Sequence, residues 1–124
     1  MRKAFKTKIR KQLDSDEREL SQNIVEAKWE YRSLITTDCA ELGDRAIIGK
    51  SLDELGSMID HYERRLARTQ SAKKRLRNGH YGRCMECGEP IAEQRLLARP
   101  ETLFCYSCAS KRERLRKYRV RVVA

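Results

Sequence analysis

The chain has 124 residues, 37% of them charged and only 6% aromatic, with a formal net charge of +10 at pH 7. That composition excludes a thick core wrapped by the whole chain and favours long helices with much of their surface in water. No run has the length of a membrane span or the apolar centre of a secretory signal, so a cytoplasmic protein is expected, with reduced thiols and cysteines that read as metal ligands before disulfides.

The first 42 residues contain neither Gly nor Pro. Within them Leu13, Leu20, Ala27 and Leu34 recur every seven residues. Ile24 and Tyr31 lie three residues before the last two, and Glu17 takes the same place one heptad earlier. This spacing predicts a long helix with one apolar seam. Leu13 opens the regular heptads. The seam breaks at Thr36-Thr37-Asp38, and Gly43 follows, a stop and a restart. The stretch from Thr36 to Ala46 carries three acids and one base in a basic chain. A second seam then runs through Ile48, Leu52, Leu55, Ile59, Tyr62, Leu66, Thr69, Lys73 and Leu76, at alternating steps of four and three.

Two heptad helices joined by a short Gly-containing segment are expected to fold back on each other. The prediction is mainly α: an antiparallel helical hairpin over residues 1–78, with its acidic tip near 36–47, in a monomer. The competing arrangement is one long helix that dimerises as a parallel coiled coil.

Residues 79–124 are read as a small four-Cys zinc-finger module with a basic C-terminal helix. Cys84 and Cys87 form one C-x-x-C pair, Cys105 and Cys108 a second, with 17 residues between the pairs. Each pair can supply two thiolates from one tight turn, and four thiolates make the tetrahedron that Zn²⁺ prefers. Gly88 follows the first pair, where such a knuckle calls for a positive φ. Four protein ligands leave no open position for substrate, so one structural Zn²⁺ per chain is expected. A dithiol redox pair or four buried thiols are the alternatives. Cys39 lies at the predicted tip as an exposed thiol. His61 and His80 are read as surface or packing residues.

Basic residues cluster in two runs. His61 to Arg83 holds eight Lys/Arg and one acid, and Lys111 to Val123 holds seven Lys/Arg and one Glu. A general nucleic-acid binder would interleave such bases with stacking aromatics. Here aromatics are few, so no stable direct DNA binding is expected, and a finger of unequal charge suits entry into an oriented protein site.

The segment "YGRCMECGEPIAEQRLLARPETLFCYSC" resembles the zinc finger of the DksA/TraR family of bacterial transcription factors. It carries Tyr-Gly before the first Cys, Cys-Gly after the first pair, Ile91, Arg95-Leu96 and Ala98-Arg99-Pro100. The resemblance runs from about Leu13 to Tyr118. It implies a non-enzymatic regulator that binds bacterial RNA polymerase and passes the hairpin through the secondary channel to alter promoter open complexes. The family's tip motif, D-x-x-D-x-A, is matched by Glu41, Asp44 and Ala46, with Glu41 standing where the motif has Asp. Many relatives act with guanosine tetraphosphate, and Arg68 and Arg99 could serve it here. Ala109 stands where familiar members have Lys. Two other functions compete: a Gre-like transcript-cleavage cofactor, whose tip acids would hold a second Mg²⁺, and a zinc-dependent nucleic-acid-binding protein that ignores polymerase.

Overall fold

The computed structural model describes residues 1–36 and 45–123. Among these residues the chain forms helices α1 (Lys3–Thr36), α2 (Arg45–Asn78), α3 (Glu93–Ala98) and α4 (Tyr106–Val123). No strand occurs among them; one isolated antiparallel bridge joins Arg83 and Pro90. None of the described helices is long and apolar enough to cross a membrane.

The two long helices have 34 residues each, about 51 Å at ~1.5 Å per residue. The seams explain why they form a hairpin. On α2, Ile48, Leu55, Thr69 and Leu76 are buried, and the other five seam positions are half-buried. On α1, Leu13, Leu20, Ile24 and Ala27 are buried, and Tyr31 and Leu34 are half-buried. Gly49 and Gly56 lie inside α2, with nothing within 4 Å of where a Cβ would stand at either. Each costs about 0.5–1 kcal/mol relative to Ala in a helix, and the continuous seam overrides that cost.

The chain divides into two compact units, one of residues Asp14–Arg68 and one of Met1–Leu13 with Thr69–Ala124. In the first, α1 and α2 pair along their seams, and Lys28 Nζ lies 3.0 Å from Glu63 Oε1. Both side chains are half exposed, so the ion pair contributes at most about 1 kcal/mol. In the second, Phe5, Ile9 and Leu13 of α1 share a core with Ala72 and Leu76 of α2 and with Tyr81, Cys84, Ile91 and Leu96. Phe5 and Ile9 extend the buried face of α1 before Leu13 in steps of four, which the sevenfold spacing alone did not reveal.

The end of α2 is a Schellman closure. The His80 N–H donates to Arg75 O at 2.9 Å and the Gly79 N–H to Leu76 O at 3.4 Å, with Gly79 at φ 78°. Only a residue without Cβ adopts that φ cheaply. In the same last turn the Arg75 guanidinium is buried and has no hydrogen-bond partner among the described residues. Burial lowers its pKa, while Tyr81 acts in the opposite sense. Its place at the helix C-terminus, where the dipole favours a cation, partly compensates that burial.

Candidate metal centre

The first knuckle is built from short local bonds. Cys84 N–H donates to Glu89 O at 2.9 Å, and Gly88 N–H to Cys84 O at 3.0 Å. Gly88 turns the chain at φ 74°, the positive value that the sequence calls for. The Ile91 N–H to Gly82 O bond, 2.8 Å, closes the loop behind the knuckle. The second knuckle opens α4: Cys105 O accepts from Ala109 N–H at 2.9 Å, so Cys105 stands immediately before the helix and Cys108 on its first turn. The knuckles are tied by the Met85 N–H to Leu103 O bond, 2.9 Å.

This brings Cys84, Cys87, Cys105 and Cys108 together, with all four Sγ atoms within 4.8 Å of one another. Cys87 Sγ and Cys105 Sγ are 3.9 Å apart. A zinc tetrahedron with Zn–S of ~2.3 Å has sulfur–sulfur edges of about 3.8 Å, so the cluster fits one structural zinc. The protonation pattern suits it. Burial works to raise the Cys84 thiol, but the N–H groups of Cys87, Cys105 and Glu86 outweigh it and hold its pKa at about 6. The neighbouring Cys105 thiol, followed by desolvation, pushes Cys108 up to about 12. The backbone at Glu89 favours ionised Cys87, yet desolvation and its sulfur neighbours leave that thiol raised. One thiolate forms readily and the neighbouring sulfurs penalise ionised Cys87 and Cys108; a dication relieves that penalty.

A shell of side chains holds this cage, and sequence reasoning missed its wiring. Arg95 donates through Nε to Phe104 O at 3.0 Å and through Nη2 to Thr102 Oγ1 at 3.4 Å. Thr102 Oγ1 donates to the same Phe104 oxygen at 3.1 Å. The Arg112 guanidinium lies 4.3 Å from the centre of the Phe104 ring and 3.9 Å from Glu86. Phe104 is therefore gripped at backbone and ring immediately before Cys105. Arg95 stood out in sequence only as part of a motif; no residue spacing marks a bond to a main-chain carbonyl.

The remaining candidate residues fall as follows. Glu41, Asp44 and Cys39 lie outside the described residues. Ala46 is exposed in the first turn of α2. Arg68 is exposed on α2 in the Asp14–Arg68 unit, and Arg99 is exposed at the C-cap of α3 in the other unit. His61 and His80 are exposed.

A C4 module carried with a long helical hairpin is a narrow class of protein. Residues 79–114 match the prokaryotic dksA/traR C4-type zinc finger. The structure of transcription factor DksA2 from Pseudomonas aeruginosa is similar, with a TM-score of 0.80 and 29% identity over 94% of this chain and 89% of that one. An uncharacterized protein of Aquifex aeolicus (strain VF5) is 31% identical over 98 residues, 79% of this chain and 66% of that relative. The chain thus spans just under two thirds of that relative's length. The zinc finger is thus of the dksA/traR C4 type, and the fold is similar to that of the transcription factor DksA2.

Proposed function

We propose that the protein is a transcription regulator that binds bacterial RNA polymerase in the cytoplasm and inserts its hairpin tip through the secondary channel. There it alters the stability of promoter open complexes and performs no chemistry of its own. The observation that carries this reading is the likeness to a DksA transcription factor over hairpin and C4 module together, 94% of the chain. Glu41, Asp44 and Ala46 are the working end. Arg68 and Arg99 are the residues through which guanosine tetraphosphate would act.

Binding and effect are separable in this reading, because the tip and the rest of the protein meet different parts of the partner. Asp44→Asn removes a charge with almost no change in size. It should keep near-native polymerase affinity and lose most of the change in open-complex lifetime. Glu41→Asp should preserve or raise the effect. A tip contribution of ~1–3 kcal/mol is enough for a change of roughly tenfold or more. The measurement is competitor-resistant complex decay at saturating protein, with and without the alarmone, beside a direct binding assay. Unchanged decay with bound Asp44→Asn would remove the tip from the mechanism. Stimulated transcript cleavage would favour the Gre-like alternative.

A further inference from the structure

The two knuckles of the metal centre are braced one by one, and also to each other. Arg83 donates through Nη1 to Gly88 O at 3.3 Å, a bond inside the first knuckle. Arg95 holds Thr102 and Phe104, the stretch that leads into the second. Arg112 does something different. It stands on α4 four residues after Cys108, one turn along the same face. Its guanidinium lies over the Phe104 ring, 4.3 Å from the centroid, and Nη1 is 3.9 Å from Glu86 Oε1. Phe104 immediately precedes Cys105, and Glu86 immediately precedes Cys87. The sulfurs of those two cysteines are 3.9 Å apart and form one edge of the cluster. A single side chain therefore joins the residues that lead into both ends of that edge.

This edge is where a competitor for the metal enters. Cys87 is the exposed thiol of the four, Cys84 is buried, and Cys105 and Cys108 are half-buried. Detaching Cys87 requires the first knuckle to swing away from the second. The Met85 N–H to Leu103 O bond resists that motion along the backbone. The Arg112–Glu86 pair resists it at the edge itself. Both partners are about half exposed, and an ordinary pair of that kind contributes little, because two floppy side chains must be ordered to make it. Here the stack on Phe104 has already fixed the guanidinium, so that cost is reduced. Contacts just outside a metal's ligands orient those ligands and tune how tightly the metal is held.

We propose that Arg112 is a latch across the Cys87–Cys105 edge, a positioning residue that sets how fast the centre gives up zinc. The proposal rests on the four-thiolate zinc site and does not depend on the polymerase reading.

The test follows zinc transfer from the full zinc-loaded chain to an excess of a chromogenic chelator at neutral pH. Arg112→Gln should speed release about three- to fivefold, the range for loss of one such pair. Glu86→Gln should speed it similarly, and the double variant should be no faster than either single one, because both remove the same contact. Arg112→Lys keeps the charge without the flat stack, and its rate should fall between wild type and Arg112→Gln. Raising salt to ~1 M should bring wild type toward the variants. Lys117→Gln removes a charge from the same helix without crossing between the knuckles, and should release zinc as wild type does. The visible spectrum of cobalt-loaded Arg112→Gln should match that of wild type, since the latch governs opening and not the shape of the closed cage. Wild-type release from Arg112→Gln, additive effects in the double variant, or a gap undiminished by salt would overturn the proposal. So would equally fast release from Lys117→Gln, or an altered cobalt spectrum, which would make Arg112 part of the cage's construction and not its latch.

Discussion

Tyr81 is the residue on which the zinc module closes. Its hydroxyl, in the buried core, donates to Pro100 O at 2.8 Å, and so joins the chain before the first knuckle to the chain before the second. Desolvation pushes its pKa well above the ordinary tyrosine range; Arg75 pulls down and Glu101 pushes up. The fold therefore holds the neutral phenol. Its contribution is complete below the unfolded pKa near 10 and is lost as pH rises toward the raised folded value. Tyr81→Phe keeps the ring and leaves the Pro100 carbonyl without its donor, at a cost of about 1–2 kcal/mol. Denaturant unfolding of the zinc-loaded chain should show this at neutral pH, and the gap to wild type should narrow above pH ~10. Equal stability of the two at pH 7 would show that the hydroxyl contributes nothing.

At the scale of elements, the seams were the legible part. Apolar residues at alternating steps of three and four predict two helices and their shared face, because a buried stripe is a property of spacing. The four thiols were legible for a similar reason: ligand chemistry and turn length restrict which spacings can meet one metal. The start of α2 was less so. Gly49 and Gly56 lie close to the expected turn, yet both belong to the helix, since packing along the seam outweighs their local preference. The clasp on Phe104 was not legible at all, because its acceptor is a main-chain carbonyl that every residue type possesses. The glycines permit a direct test. Gly56 has open space where a Cβ would stand, and Gly56→Ala should stabilise the hairpin by about 0.5–1 kcal/mol. The readout is the midpoint of thermal unfolding followed by helix signal. A lower midpoint would mean that the helix needs the glycine there.

At the scale of the molecule, the zinc unit draws on both ends of the chain. Phe5, Ile9 and Leu13 pack in the same core as Tyr81 and Cys84, with Cys105 and Cys108 against it. A structural zinc of this type contributes ~10–16 kcal/mol to folding. Chelation, or Cys105→Ser, should therefore loosen residues 3–13 and 69–77 as well as the knuckles, while 14–36 and 45–68 stay helical. Hydrogen exchange resolved by segment measures this, and slow exchange of residues 3–13 after chelation would confine the effect of zinc to residues 79–124. The division of the chain has a further consequence, for the order of folding. The two pieces of the zinc unit are separated in sequence by the whole of residues 14–68. Closing so long a loop has an entropic cost, whereas contacts near the turn of a hairpin are local and form early. A hairpin that zips from its turn delivers Phe5 and Ile9 to Ala72 and Leu76 before the thiolates meet their metal. On that route, weakening the seam with Leu20→Ala slows the capture of zinc far more than it loosens the zinc once held.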